Sequence, residues 1–267
     1  MHPTCFVSSD EVLALSRGYK PEWAFRGQSK DVPLKTSLQR ACDAAKVPLQ
    51  LRPQIERHLI LDFSRRYDGP DSSVVRQDTM FCMALMQHHG APTRLLDFTY
   101  SIFVAMFFAL EGAGRSPVVW GVNTGWCREK VSQVVEAIAL RDSAELKDDS
   151  SFRPCYQEQP RRFVLPENAF ALNSRASAQQ GVFLCQGDVR SGFSDNLRSL
   201  SDWDEYASVV KFSLAFAATE RLEALRDLYR MNVSRAALFP GVDGFAQSLR
   251  QRLLFHLPGV GRIRGNA

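Results

Sequence analysis

Six polar side chains crowd one short run of the chain, Gln87-His88-His89-Gly90-Ala91-Pro92-Thr93-Arg94-Leu95-Leu96-Asp97-Phe98-Thr99: His88, His89, Thr93, Arg94, Asp97 and Thr99. The segments on either side are strongly apolar, so these groups are drawn toward the interior. An unpaired buried polar group costs about 1–3 kcal/mol, so each must find a partner in the protein or in a ligand. Arg94 and Asp97 bracket two leucines and need opposite charges if they go under apolar cover. Thr99 stands just before the second apolar segment, where the free N–H groups and dipole of a helix start favour an anion such as phosphate. An architectural reading fits the same residues: Thr99 caps a helix, Asp97 pairs with Arg94, and the histidines sit at a helix C-terminus. His88 and His89 are adjacent and diverge by ~100° on a helix, which makes a poor metal pair, and no metal site is expected.

Two other places carry groups suited to chemistry. Trp23-Ala24-Phe25-Arg26-Gly27-Gln28 alternates bulky and small residues like a core strand, with Arg26 near its end. A guanidinium fork there pairs with phosphate at two points, and Gly27 lets a ligand or another backbone approach closely. The alternative for Arg26 is an edge arginine reaching to water. Farther on, Arg175, Gln179 and Gln180 lie in a polar stretch that feeds the apolar strand Gly181–Cys185, at a strand mouth where loops commonly hold ligands.

Helices and strands must hold these groups. Thr79–Met86 is apolar nearly all round and reads as a buried helix with Asp78 as N-cap, ended by Gly90 and Pro92. Ser101–Leu110 is a second buried helix. A capping box at Ser8–Glu11 opens an N-terminal helix within residues 1–22, and another helix covers Leu38–Ala45. The helix begun at Pro53 carries Ile55, Leu59, Ile60 and Phe63 on one face, and its Glu56 is solvated or ion-paired. Residues 71–77 and 187–205 read as loops, and Lys147–Pro160 as a loop or insertion. Strands are expected at Pro117–Val122, Arg162–Leu165 and Val209–Leu214. Helices follow at Val131–Leu146, at Thr219–Tyr229 with Thr219 as cap, and at Asp243–Phe255. Strands and helices mix irregularly, which predicts an α+β fold in a single domain spanning residues 1–267, with residues 250–267 a basic tail.

Composition adds bounds. The chain has 267 residues, 45% hydrophobic and 23% charged, as globular proteins do. Its longest apolar run is short of the ~20 residues a membrane span needs, so no membrane partner is expected. Cys5, Cys42, Cys82, Cys127, Cys155 and Cys185 form no C-x-x-C pair and read as reduced core residues of a cytoplasmic protein without a leader. A net charge of +4 permits contact with DNA or RNA without requiring it. Phosphate-loop, dinucleotide-fingerprint, serine-hydrolase and zincin motifs are absent.

With these stretches in view, the chain resembles the FRG domain family, named for a Phe-Arg-Gly signature that stands here as Phe25-Arg26-Gly27. The resemblance runs from about residue 23 to 249. It takes in Gln87–Thr99 with Ala105-Met106-Phe107-Phe108-Ala109, then Arg175, Gln179, Gly181 and Phe183, and finally Leu238-Phe239-Pro240 with Asp243-Gly244. The block order is similar to that of ADP-ribosyltransferases, and the fold so implied has a split, twisted sheet.

The resemblance implies NAD as substrate and ADP-ribosyl transfer to nucleic acid or protein, in a toxin or phage-defence effector with a target or antitoxin protein as a further partner. Carried over, Arg26 holds the pyrophosphate among the cofactor-binding residues Arg26, Gly27, Gln28, Thr93, Arg94 and Thr99. His89 or Asp97 orients the ribose or acceptor, and Gln179 and Gln180 steer the acceptor nucleophile. From its place among Leu95, Leu96 and Phe98, Asp97 reads as the buried counter-ion of Arg94 or Arg26, with a catalytic carboxylate as the alternative. Where the transferase pattern has a glutamate, this chain has Gln179-Gln180, which hydrogen-bond but carry no negative charge. The alternative is therefore a non-catalytic module that binds a nucleotide or nucleic acid. Entry of Glu56, Glu111 or Glu158 into the cleft beside Arg26 favours the enzyme, and Asp97 alone favours the module.

Overall fold

The computed structural model describes residues 4–6, 11–12, 14, 17–112, 116–134, 156–157, 161–167, 174–200 and 208–256. Seven strands form one sheet: β1 (Thr4–Phe6), β2 (Trp23–Gln28), β3 (Leu95–Thr99), β4 (Val118–Asn123), β5 (Val164–Glu167), β6 (Gly181–Gln186) and β7 (Val209–Leu214). Their spatial order is β1-β7-β4-β2-β3-β6-β5. Only β1 and β7 run parallel; the other neighbours are antiparallel. The helices are α1 (Ser37–Ala44), α2 (Arg52–Arg66), α3 (Ser72–Gln77), α4 (Thr79–His88), α5 (Ile102–Glu111), α6 (Thr124–Val134), α7 (Ser174–Ala178), α8 (Phe193–Arg198), α9 (Ala218–Arg230), α10 (Arg235–Leu238) and α11 (Val242–His256). The α+β expectation holds.

The sheet changes character at its centre. β2 pairs with β4 through six registered residues, but with β3 through one, Phe25 opposite Thr99. Beyond that point Arg26, Gly27 and Gln28 find no ladder partner on β3, and a cleft lies between the two halves of the sheet.

Alternation along β2 sends Trp23 and Phe25 to one face and Ala24 to the other, and two cores form accordingly. One core sets α5, α9 and Leu238 against β2, β4 and β7. Seven of the ten residues of α5 are buried, as its sequence requires. This helix packs so closely on β2 that a Cβ on Gly27 would lie 1.8 Å from the Ala105 carbonyl oxygen. Gly27 therefore serves a close backbone approach. Arg221 of α9 caps the C-terminus of α5, donating to the carbonyls of Leu110 and Gly112 at 2.5 and 2.6 Å.

α4 lies on the other core. Asp78 accepts from the Phe81 amide at 2.9 Å, and Gly90 turns left-handed at φ +82°, so both ends of this helix are as its sequence predicts.

Other expectations change. Residues 72–77, 174–178 and 193–198 are helical, where loops were expected. Each helix is too short to show a 3.6-residue period. Residues 4–6 form a strand inside the segment read as an N-terminal helix, because β7 offers an open edge to pair with. Ser101, not Thr99, caps α5, accepting from Val104. Thr219 is no cap either: the Glu220 carboxylate accepts from the Ala217 amide at 2.7 Å. In α2 the fully buried residues are Arg52 and Glu56, while the expected apolar face is only half-buried. Ser8–Asp10, Val135–Leu146, Lys147–Cys155 and Glu158–Pro160 lie outside the described residues. Cys42, Cys82, Cys127 and Cys185 are buried and form no disulfide among the described residues. Among the described residues, no helix is long and apolar enough to cross a membrane, and no His/Cys/Asp/Glu cluster suits a metal ion.

Candidate functional site

The cleft between β2 and β3 has a volume of about 540 Å³, within the range of small-molecule sites. Arg26, Gly27 and Gln28 supply one wall, and Asp97, Phe98 and Thr99 the facing one. α4 contributes Gln87 and His88, α5 contributes Phe108, and the α7–β6 turn contributes Arg175 and Gln179. Phe25, Phe98, Phe108 and Phe183 add aromatic surface. Arg26, Lys30 and Arg175 are its fixed positive charges, against Asp97 as the one carboxylate among the described lining residues.

Arg26 spans the gap where the ladder ends. Its Nη1 donates to the Asp97 carbonyl at 2.7 Å and lies 3.9 Å from Asp97 Oδ2, and its Nε is buried with no partner among the described residues. Burial pulls the guanidinium below the usual arginine range, the Asp97 charge works against this, and Arg40 adds to the depression. The group nevertheless stays cationic at neutral pH.

Asp97 departs from the expectation of a buried counter-ion. Its side chain is 58% exposed, the one open position on a strand whose other residues are buried. It stands at the split: β6 pairs with this part of β3 through Phe183 opposite Asp97, but on the β2 side the ladder stops at Thr99 and the cleft opens there. Gln87 aims it, donating from Nε2 to Asp97 Oδ2 at 2.9 Å. Thr93 Oγ1 and Ser37 Oγ both donate to Gln87 Oε1, at 2.6 and 3.2 Å, and so fix which way the amide faces. Thr93 is buried and acts through this relay, away from the cleft lining. Nothing local in the sequence distinguishes Gln87 as an aiming amide from a solvated one.

Arg94 also moves from the ligand set to the interior. Its side chain is 1% exposed and forks onto Glu56, with Nε donating to Oε1 at 2.6 Å and Nη2 to Oε2. Nη1 donates to the carbonyls of Gly187 at 2.8 Å and Gln186 at 3.2 Å. Arg94 therefore ties α2 and β3 to the end of β6, and neither it nor Glu56 lines the cleft. The Arg94–Asp97 pairing considered from sequence does not occur, because Glu56 holds the guanidinium.

The remaining residues divide. Thr99 lines the cleft, but its hydroxyl donates to the Gln179 carbonyl at 2.7 Å and accepts from the Ser101 amide at 3.0 Å. Gln28 lines it too, with Oε1 accepting from Trp120 Nε1 at 3.0 Å. Gln179 lines it, while its amide donates to the Leu238 carbonyl at 3.0 Å. Gln180 is exposed, adopts φ +47° in the tight turn into β6, and is not part of the lining. His89 also stays outside, packed near Phe63, and His88 takes the place in the cleft expected of it. Burial, His89 and Arg175 push the His88 imidazole below its ordinary value.

Residues 21–116 match the model of the FRG domain family. That stretch is thus similar to an FRG domain. No curated protein and no solved structure matches the chain. The FRG match contains Arg26, Gln87, His88, Asp97 and Thr99, and thus both facing walls of the cleft. Arg175, Gln179 and the Leu238-Phe239-Pro240 turn lie beyond it. Of the acids weighed from sequence, Glu111 pairs with Arg235 at 2.5 Å outside the cleft lining, and Glu158 is outside the described residues.

Proposed function

We propose that the cleft binds an NAD-type dinucleotide and that the protein transfers its ADP-ribosyl group to an acceptor. The observation that carries this reading is the pairing of an exposed, aimed carboxylate with a guanidinium at the gap in the sheet. Arg26, with Nε unpartnered among the described residues, is suited to the pyrophosphate, because its fork meets two phosphate oxygens. The phenylalanines offer faces for the nicotinamide or adenine ring.

In the reaction the bond between nicotinamide and ribose C1′ breaks, nicotinamide leaves with the bonding electrons, and the acceptor nucleophile bonds to C1′. Asp97 supplies the negative charge that faces the developing oxocarbenium ion, or takes the proton that the acceptor releases. The role expected of His89 passes to His88, the histidine in the cleft. Lys30 and Arg175 favour a nucleic-acid acceptor over a protein one, because a phosphate backbone complements a cationic rim. A place in toxin or phage defence, with a target or antitoxin protein, fits this activity.

Asp97→Asn tests it. The carboxylate is mostly exposed, so the melting temperature should move by no more than about 4 °C, in keeping with an exposed pair worth about 0–1 kcal/mol. Nicotinamide release from NAD should fall about 100-fold or more, with NAD binding retained. A wild-type protein that releases no nicotinamide and labels no DNA, RNA or protein pool would refute the transferase reading. A non-catalytic nucleotide-binding module would then stand. Two observations already favour that second reading: Asp97 is the single carboxylate in the described lining, and the Gln179 amide is engaged by Leu238.

A further inference from the structure

The Leu238-Phe239-Pro240 turn holds one edge of the cleft. The Cζ atoms of Arg175 and Arg235 each lie 4.5 Å from the centre of the Phe239 ring. Arg235 is anchored by Glu111 at 2.5 Å and by Gln247 Oε1 at 2.6 Å, so its charge is met. Arg175 differs. Its side chain makes no ion pair among the described residues, it is exposed, and it lines the cleft.

The same turn grips the Arg175 segment a second time, one helical turn on, where Gln179 Nε2 donates to the Leu238 carbonyl. Phe108, another cleft residue, meets the Phe239 ring edge-on at 6.0 Å and 88°. Helix α11 backs the turn so closely that a Cβ on Gly244 would lie 1.8 Å from the Phe239 carbonyl oxygen. A flexible arginine is thus laid on a ring that is itself fixed from behind, and its N–H edges stay open.

We propose that Arg175 forms a second phosphate subsite at the cleft edge, separate from Arg26, and that Phe239 is the positioning residue that pre-orients it. Stacking on a ring leaves the guanidinium fork free and reduces the rotamer freedom lost when an anion binds. Among anions, phosphate fits best, since a planar fork meets two of its oxygens at once. The Arg175 charge already reaches His88 and helps depress it, so the subsite faces the same space as the α4 wall. The proposal shares with the dinucleotide reading only the premise that this cleft takes a phosphate-bearing ligand.

Calorimetric titration with inorganic pyrophosphate provides the test, using wild type, Arg175→Gln, Arg175→Lys and Phe239→Leu. Wild type should bind. Arg175→Gln should weaken binding about tenfold or more, as loss of a charged hydrogen-bond partner does. Phe239→Leu should weaken it about threefold to tenfold with Arg175 intact, because a ring platform is worth roughly that much. Arg175→Lys keeps the charge and the ring but loses the flat fork; it should also weaken binding, and it decides the matter if Phe239→Leu fails to fold. Wild-type affinity in Arg175→Gln, or no pyrophosphate binding by wild type, would overturn the subsite. Pyrophosphate binding without nicotinamide release would instead refute the transferase reading and leave the subsite standing.

Discussion

Glu56→Gln is the substitution by which the interior of this protein is best tested. Arg94 and Glu56 are 1% and 2% exposed, and two hydrogen bonds join them. Burial alone would push the guanidinium down; the Glu56 charge and its hydrogen bonds more than offset this and hold Arg94 above its ordinary value. Glutamine keeps the volume but removes the charge, and its NH2 group would face an N–H of Arg94, donor against donor. The carbonyls of Tyr156, Gln186 and Gly187 and the face of the Tyr156 ring remain, and none of them carries a charge to neutralise the cation. Stranding a buried charge in this way costs about 3–5 kcal/mol. Whole domains are stable by only about 5–15 kcal/mol, so this is a large share. At about 2–4 °C per kcal/mol for chains of this order of length, the melting temperature should fall by roughly 6–20 °C.

Urea titration followed by fluorescence, with scanning calorimetry alongside, gives the loss directly. The double variant Glu56→Leu/Arg94→Met, which removes both charges, should be less destabilised than Glu56→Gln, because nothing is left uncompensated. A loss under about 1 kcal/mol for Glu56→Gln would refute the pairing and, with it, the account of why Arg94 cannot serve a ligand.

Two predictions concern the walls of the cleft. Gly27→Ala places a Cβ against the Ala105 carbonyl and 2.7 Å from the Ala109 nitrogen, so α5 must lift from β2. Overpacking against backbone should cost about 3 kcal/mol or more, visible as a lower urea midpoint, and an unchanged midpoint would contradict the close approach. His88 should titrate below about 6.5 by NMR, and Arg175→Gln should raise it, since that charge is one cause of the depression. The sign follows: the unfolded chain binds more protons at this site, so the His88 contribution is full above about pH 6.5 and is lost as pH falls through the folded value. A His88 titration at or above the ordinary value would overturn this.

Local pattern was enough for much of the architecture. Unbroken apolarity over 79–86 and 102–110 can only be buried, and Asp78 and Gly90 mark their ends by chemistry that acts within a few residues. β2, β4, β6 and β7 were equally legible, and so, through the FRG resemblance, was the meeting of Arg26 and Thr99 at one cleft; Gln180, expected beside them, stays outside it, and Asp97 enters it exposed rather than as a buried counter-ion. The short helices at 72–77, 174–178 and 193–198 were not, because fewer than two turns carry no period to detect.

What only the tertiary structure decided is the partner of each charge. Arg94 and Asp97 are three residues apart, yet Arg94 pairs with Glu56, 38 residues away, and Asp97 is left to the cleft. Sequence determined that both charges needed an answer, because burial between leucines has a cost that any fold must meet. Which answer was found depended on where the β2–β3 ladder ends, and that is set by how α2, α5 and β6 pack around β3 rather than by the residues of β3 itself.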